Sequence, residues 1–261
     1  WESSFWCPIC CSGSKMIVIM GRSLVVKLVI ILLCFIVLWI STPTGIGLKP
    51  DTNSYFNSAS NVAKGNFEFE GGSHYSPLYP LVLSLFVCFG FSLASSAWII
   101  SFMCFVISVI FFHQISIGIS GKQNSILPSV LFFLGCGMLM VEVFSVALSE
   151  SLFICLLLSG SYYFIRYLKD GRLPDLVIGV ILFSTSVATR HVGVFVSIAV
   201  FISIVLFQKD RIINRIGKAT LAGCLICLPY LVWIIIHKNS SYATGQSLGF
   251  YGINLAHVVS M

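Results

Sequence analysis

Long apolar runs follow one another along almost the whole chain. They fall at about 23–41, 77–91, 96–118, 125–146, 150–168, 174–188, 192–208 and 217–237. Each is roughly 15–23 residues long, close to the ~20 that a helix needs to cross ~30 Å of hydrocarbon. Charge is correspondingly scarce. Only 9% of the 261 residues are charged and 57% are hydrophobic, with a mean hydropathy of +0.99. A soluble domain carries about 25% charged residues, so this chain cannot cover a water-facing surface. The same numbers exclude intrinsic disorder. The fold class is an all-α polytopic membrane protein. Its net charge of +6 reads as basic cytoplasmic loops and not as nucleic-acid binding.

Lysine and arginine set the expected sides. Lys15 and Arg22 precede the first run; Arg166, Lys169 and Arg172 form one short basic loop, and Lys209, Arg211, Arg215 and Lys218 another. These regions are expected inside. Segment 42–76 and the tail from about 239 are expected outside. A conflict follows. Four apolar segments separate the external loop ending near Ser76 from the internal loop at Arg166, yet opposite sides demand an odd number of crossings. One of the four therefore fails to cross fully, or two merge. The expected total is about seven transmembrane helices.

The first fifteen residues read as an upstream or non-native leader. Residues 16–261 read as one transmembrane module that stops within a second large external loop. Seven of the ten cysteines lie inside apolar runs, where a thiol packs as a small hydrophobe. Neither Cys7-Pro8-Ile9-Cys10-Cys11 nor the Cys224/Cys227 pair has the second ligand pair that a zinc site needs. His74, His237 and His257 lack metal-ligand spacing. No metal site and no cofactor is specified, and use of a divalent cation is left open.

The stretch from Thr42 to Ser76 is a long polar loop between two hydrophobic spans, and such loops are often functional. Asp51 is placed to cap a short amphipathic helix that reaches Lys64 and stops at Gly65, with Tyr55, Ala59, Val62 and Ala63 on one face. Asp51 either only caps that helix or also serves as a general base at the membrane boundary. In His74-Tyr75-Ser76-Pro77-Leu78-Tyr79-Pro80, two prolines suit a helix start. The tyrosines either join the interfacial aromatic belt or, with His74, line a site at a phosphate-binding helix N-terminus.

Three charged residues interrupt or flank apolar segments, where a charge at mid-bilayer costs roughly 2.5–3.5 kcal/mol on insertion scales and signals function. They are Glu142, Glu150 and Arg190. Glu150 either stabilises a helix N-terminus or belongs to a site. Arg190 divides 174–208 into two short helices, and either binds a phosphate or pairs with Glu142 or Glu150.

The pattern Asp51-Thr52-x-x-Tyr55-x-x-x-Ala59-x-Asn61-x-x-x-Gly65, followed by His74-Tyr75-Ser76-Pro77-Leu78-Tyr79-Pro80-Leu81, resembles the first external loop and second helix of GT-C glycosyltransferases. The resemblance is to bacterial relatives of the protein-mannosyltransferase and aminoarabinose-transferase type. Ser149-Glu150-Ser151-Leu152-Phe153 resembles the Ser-Glu-x-Leu-Phe step of that family. Thr189-Arg190-His191-Val192-Gly193 resembles its Thr-Arg helix break, with His191 in place of the usual aromatic. Residues 242–252, including Gly245 and Gly249, resemble a further external loop that closes over substrate. Thr52 stands where the family commonly has Ser.

The resemblance implies an integral-membrane enzyme that takes a sugar from a polyprenyl-phosphate donor and passes it to a lipid, glycan or protein acceptor outside the membrane, in bacteria the inner membrane. It implies catalytic roles for Asp51 and Glu150. It also implies substrate contacts from Arg190, Tyr55, His74, Tyr75, Tyr79, Gly245 and Gly249. Two other readings remain: a transporter or flippase with Arg190 and Glu150 in its pathway, and a non-catalytic assembly subunit whose charges only pair helices.

Overall fold

The computed structural model describes residues 13–70, 75–120, 137–209 and 211–237, with side chains of the first helix from Lys27 onward. Every regular element among the described residues is a helix: α1 (Gly13–Ser41), α2 (Pro50–Ala63), α3 (Leu78–Cys88), α4 (Leu93–Ser120), α5 (Gly137–Ser145), α6 (Glu150–Asp170), α7 (Leu173–Thr189), α8 (Val194–Phe207) and α9 (Ile212–His237). Three stretches are long and apolar enough to cross a membrane, namely Leu93–Ile119, Glu150–Asp170 and Ile212–Ile236. Large apolar side chains stay exposed around the bundle, among them Ile181, Phe195, Ile213 and Ile235. Water does not tolerate such a surface and lipid does. The described residues form an all-helical integral membrane protein.

α6 and α7 form a tight antiparallel hairpin. Gly171 ends α6 in the left-handed region at φ 69°, which glycine adopts without a Cβ penalty. Arg166 pairs with the buried Asp175 at 3.5 Å across the hairpin. Gly160 lies directly under Phe183, and a Cβ there would stand 2.7 Å from the ring. Small residues allow such close backbone approach where no hydrophobic force drives helices together.

α4 and α6 run parallel. Cys104 and Cys155 lie against one another near one end, Phe111 packs on Tyr162 in the middle, and Lys169 donates to the Gly118 carbonyl at the other end. α5 leads into the turn before α6. Phe144 on α5 stacks on Phe105 of α4 at 4.8 Å.

α3 behaves differently from the other apolar helices. Its 11 residues span about 16 Å, half of the hydrocarbon thickness. It packs along α2. The indole of Trp98, in the second turn of α4, donates to Thr42 Oγ1 at 3.0 Å, just past the end of α1. Both the start of α3 and the start of α4 thus lie at the α1 C-terminal end of the bundle.

The break between two short helices at Arg190 is as the sequence suggests. α7 stops at Thr189, Arg190 is extended (φ −150°, ψ 131°), and a 3-10 turn over His191–Gly193 leads into α8. α8 and α9 pack antiparallel, with Arg215 donating to the Val205 carbonyl at 3.2 Å. Buried side chains form two cores, one among α1–α5 and the start of α6, the other among α6–α9.

The Gly160–Phe183 contact generates a stability contrast. Gly160→Leu is expected to lower the melting temperature of the detergent-solubilised protein through about 1–3 kcal/mol of overpacking. Gly217→Ala, where nothing lies within 4 Å of an added Cβ, is expected to leave it unchanged or raise it through roughly 0.5–1 kcal/mol of helix propensity.

Candidate functional site

The segment after α1 is tied to the turn before α6 by a short zipper. Gly45, at φ +104°, reverses the chain after α1. Gly47 then pairs with Val146 in a single parallel bridge: its N–H donates to Ser145 O at 2.8 Å, and its carbonyl accepts from Ala147 N–H at 2.9 Å. A Cβ on Gly47 would come 3.2 Å from Ser145 O, so a side chain there would force the bridge to shift by a few tenths of an ångström. Lys49 Nζ reaches Glu142 Oε1 at 2.9 Å. The Thr52 hydroxyl, fully buried, accepts from Lys49 N–H at 3.0 Å and donates to Ala147 O at 3.0 Å. One turn later, the Tyr55 and Ser149 hydroxyls share a hydrogen bond of 3.2 Å.

The zipper delivers Glu150 to the first position of α6, where the helix dipole favours its charge. Glu150 forms an ion pair with Arg190 from the α7–α8 hinge. Ser76, just before α3, shares a 3.1 Å hydrogen bond with His191 Nδ1, and the His191 ring packs on Tyr230 of α9 at 4.9 Å. Tyr75 donates from its hydroxyl to Asp51 Oδ1 at 3.1 Å, and its ring meets Tyr55 edge-on at 5.3 Å.

These contacts close a circuit. It passes from Asp51 to Tyr75 and Ser76, across to His191 and Arg190, on to Glu150 and Ser149, and back through Tyr55 to Tyr75. Asp51, Glu150 and Arg190, far apart in sequence, therefore meet at one end of the bundle around Tyr55. Burial pushes the Tyr55 phenol above its ordinary pKa; Glu150 and Asp51 act in the same direction, while Ser149 and Arg190 oppose it. Burial also raises Tyr75, and its bond to Asp51 adds to the effect. Both phenols stay protonated into alkaline solution.

An open cleft of about 200 Å³ lies against the zipper, lined by Lys49, Glu142, Val143, Val146, Leu148 and Glu150. Glu150 therefore faces both the cleft and Arg190. Asp51 sits two residues beyond Lys49, at the start of α2. Among the described residues no three His, Cys, Asp or Glu side chains cluster as metal ligands.

Two expectations are corrected by this geometry, and between the two partners expected for Arg190 it selects Glu150. Asp51 does not cap α2: Lys49 occupies the cap, Pro50 the first helical position, and the Thr52 hydroxyl receives the Lys49 N–H. Asp51 is left exposed in the first turn, free of a capping duty. Tyr79 joins neither an aromatic belt nor a ligand surface, because it is wholly buried under Tyr55, 5.2 Å ring to ring. It supports Tyr55 from below. Arg190 pairs with Glu150, while Glu142 goes to Lys49. His74, Gly245 and Gly249 lie outside the described residues.

Sequence reasoning gave no role to Lys49, and it found no motif for Glu142. The usable signal was weak: a lysine two residues ahead of Asp51, and a carboxylate near the end of an apolar run. No known protein family matches the chain, and no curated protein or solved structure is similar to it.

Loss of the Thr52 hydroxyl leaves the Ala147 carbonyl unpaired in a buried setting, which costs about 1–3 kcal/mol. Thr52→Val is therefore expected to speed amide exchange at both 47–52 and 145–149, read by hydrogen–deuterium exchange mass spectrometry, while Thr52→Ser keeps near-native protection.

Proposed function

We propose that this chain is an integral-membrane glycosyltransferase that moves a sugar from a polyprenyl-phosphate donor to an acceptor on the outer face of a bacterial inner membrane. The observation that supports this most is the circuit itself, which gathers an exposed carboxylate, a second carboxylate and a guanidinium at one end of an apolar bundle. Asp51 accepts the proton of the acceptor hydroxyl as that oxygen attacks the anomeric carbon. The bond from the anomeric carbon to the phosphate oxygen breaks, and the carrier phosphate departs with the electron pair. Arg190 neutralises the charge gathering on that phosphate. Glu150 holds Arg190 in position. The Tyr75 phenol, which donates to Asp51, fixes the orientation of the base.

In this reading the chain crosses the membrane seven times, through α1, α4, the segment ending in α5, and α6 to α9. The half-length of α3 supports it, since a return of the chain to the same side resolves the parity of the basic loops. Asp51, Glu150 and Arg190 then all lie outside.

The Glu150–Arg190 ion pair also favours a second reading, in which the charges serve only to join α6 to the α7–α8 hinge. The paired swap Glu150→Arg with Arg190→Glu separates the two: restored function supports helix joining, whereas a carrier phosphate needs its cation where Arg190 stands.

Two outcomes are expected. Asp51→Asn reduces transfer to below about a hundredth of wild type, the usual size of general-base catalysis, with the folded yield unchanged; unchanged transfer in a competent donor–acceptor assay removes Asp51 from the mechanism. In intact cells, a membrane-impermeant maleimide labels Asn53→Cys and Phe89→Cys, the latter just past α3, but labels Lys209→Cys only after permeabilisation. These variants are made in a background lacking the exposed Cys88 and Cys224.

A further inference from the structure

The cleft beside the zipper shares Glu150 with the Asp51–Arg190 circuit and is otherwise lined by residues outside it. Its floor is apolar, formed by Val143 and the buried Val146 and Leu148. Its rim carries one ammonium and two carboxylates, from Lys49, Glu142 and Glu150. Glu150 is neutralised by Arg190 and Glu142 by Lys49, so the rim has no net charge to attract an ion. A ligand with an apolar face and a fringe of hydrogen-bonding groups matches it. At about 200 Å³ the cleft is smaller than the roughly 300–1,000 Å³ of sites for drug-sized ligands, which favours one small ring over a chain of them. The Lys49–Glu142 pair is half exposed and contributes little to stability at such a place. A donor and an acceptor held 2.9 Å apart can instead engage neighbouring hydroxyls, one giving and one taking a hydrogen bond.

The geometry points to this cleft as the subsite for a single neutral sugar ring, with Lys49 and Glu142 binding its hydroxyls and Val146 and Leu148 supporting its C–H face. The inference rests on the glycosyl-transfer reading and adds to it the place and charge class of the donor sugar. A ring seated there lies beside Glu150, and through Glu150 next to the guanidinium assigned to the carrier phosphate.

The full chain in lipid nanodiscs is titrated with undecaprenyl phosphate, with the same carrier bearing mannose, and with the same carrier bearing an amino sugar. Wild type is expected to bind the mannosyl lipid at least about tenfold more tightly than the bare phosphate, the scale of one charge-assisted hydrogen bond. Glu142→Gln and Lys49→Gln are expected to bring mannosyl-lipid binding to within about twofold of the bare phosphate, with binding of the bare phosphate unchanged. Both side chains are exposed, so neither change threatens folding. Equal binding of bare and mannosyl lipid by wild type overturns the subsite while the transfer reading stands. Tighter binding of the amino sugar than of mannose overturns the neutral class. Absence of binding to any of the three overturns the transfer reading together with the subsite.

Discussion

A buried hydroxyl joins two segments 95 residues apart. Thr52 receives the backbone N–H that starts α2 and donates to the backbone turn that starts α6. In an apolar bundle these groups have no water to fall back on, and an unpaired one costs its full desolvation. That cost makes the junction specific. α2 is polar and only 14 residues long, too short to persist on its own. Its position follows from the Thr52 bonds, the Tyr55–Ser149 bond and its packing on α3. Asp51 is carried on the same turn as Thr52, so the register of the zipper is also the register of the carboxylate against Glu150.

The same constraint explains why polar groups gather at one end. A charge in mid-bilayer needs a partner or a path to water. Glu150 starts a helix, Arg190 occupies the break between two, and Asp51 lies in the first turn of a third. At such ends free N–H or carbonyl groups already require solvation, so side-chain charge adds little further disruption. Interruption of α7 and α8 at Arg190 leaves two helices of 17 and 14 residues. The hinge thus provides both the length correction and the cation.

Local signals in the sequence were legible because they are local. The apolar runs, the stop at Gly65, the hinge at Arg190 and the buried face with Tyr55 and Ala59 each follow from periodicity or from a breaker residue. Pairings between distant elements were not. Nothing in the spacing of Lys49 and Glu142 says that they meet, because that depends on the parallel bridge at Gly47, which only a register between remote segments creates. The capping of α2 misled for a physical reason: Asp is a strong cap, but Pro50 is fitted to the first helical position and moves the cap one residue earlier than Pro50 itself, to Lys49. Tyr79 misled because Tyr is amphipathic and equally at home at an interface or in a core.

The shortness of α3 is what gives the site its third wall. Had residues 77–91 formed a full crossing, α4 would begin at the far end of the bundle, and Trp98 could not reach Thr42. α3 instead folds back beside α2, which keeps Tyr75 and Ser76 at the level of Asp51 and His191. Pro77 and Pro80 assist, since neither supplies an N–H and both fit the start of a helix. The fully buried Tyr79 then fills the space under Tyr55. A short hydrophobic helix thereby becomes the support of a polar loop, and the circuit around Tyr55 depends on that shortness as much as on any of its own hydrogen bonds.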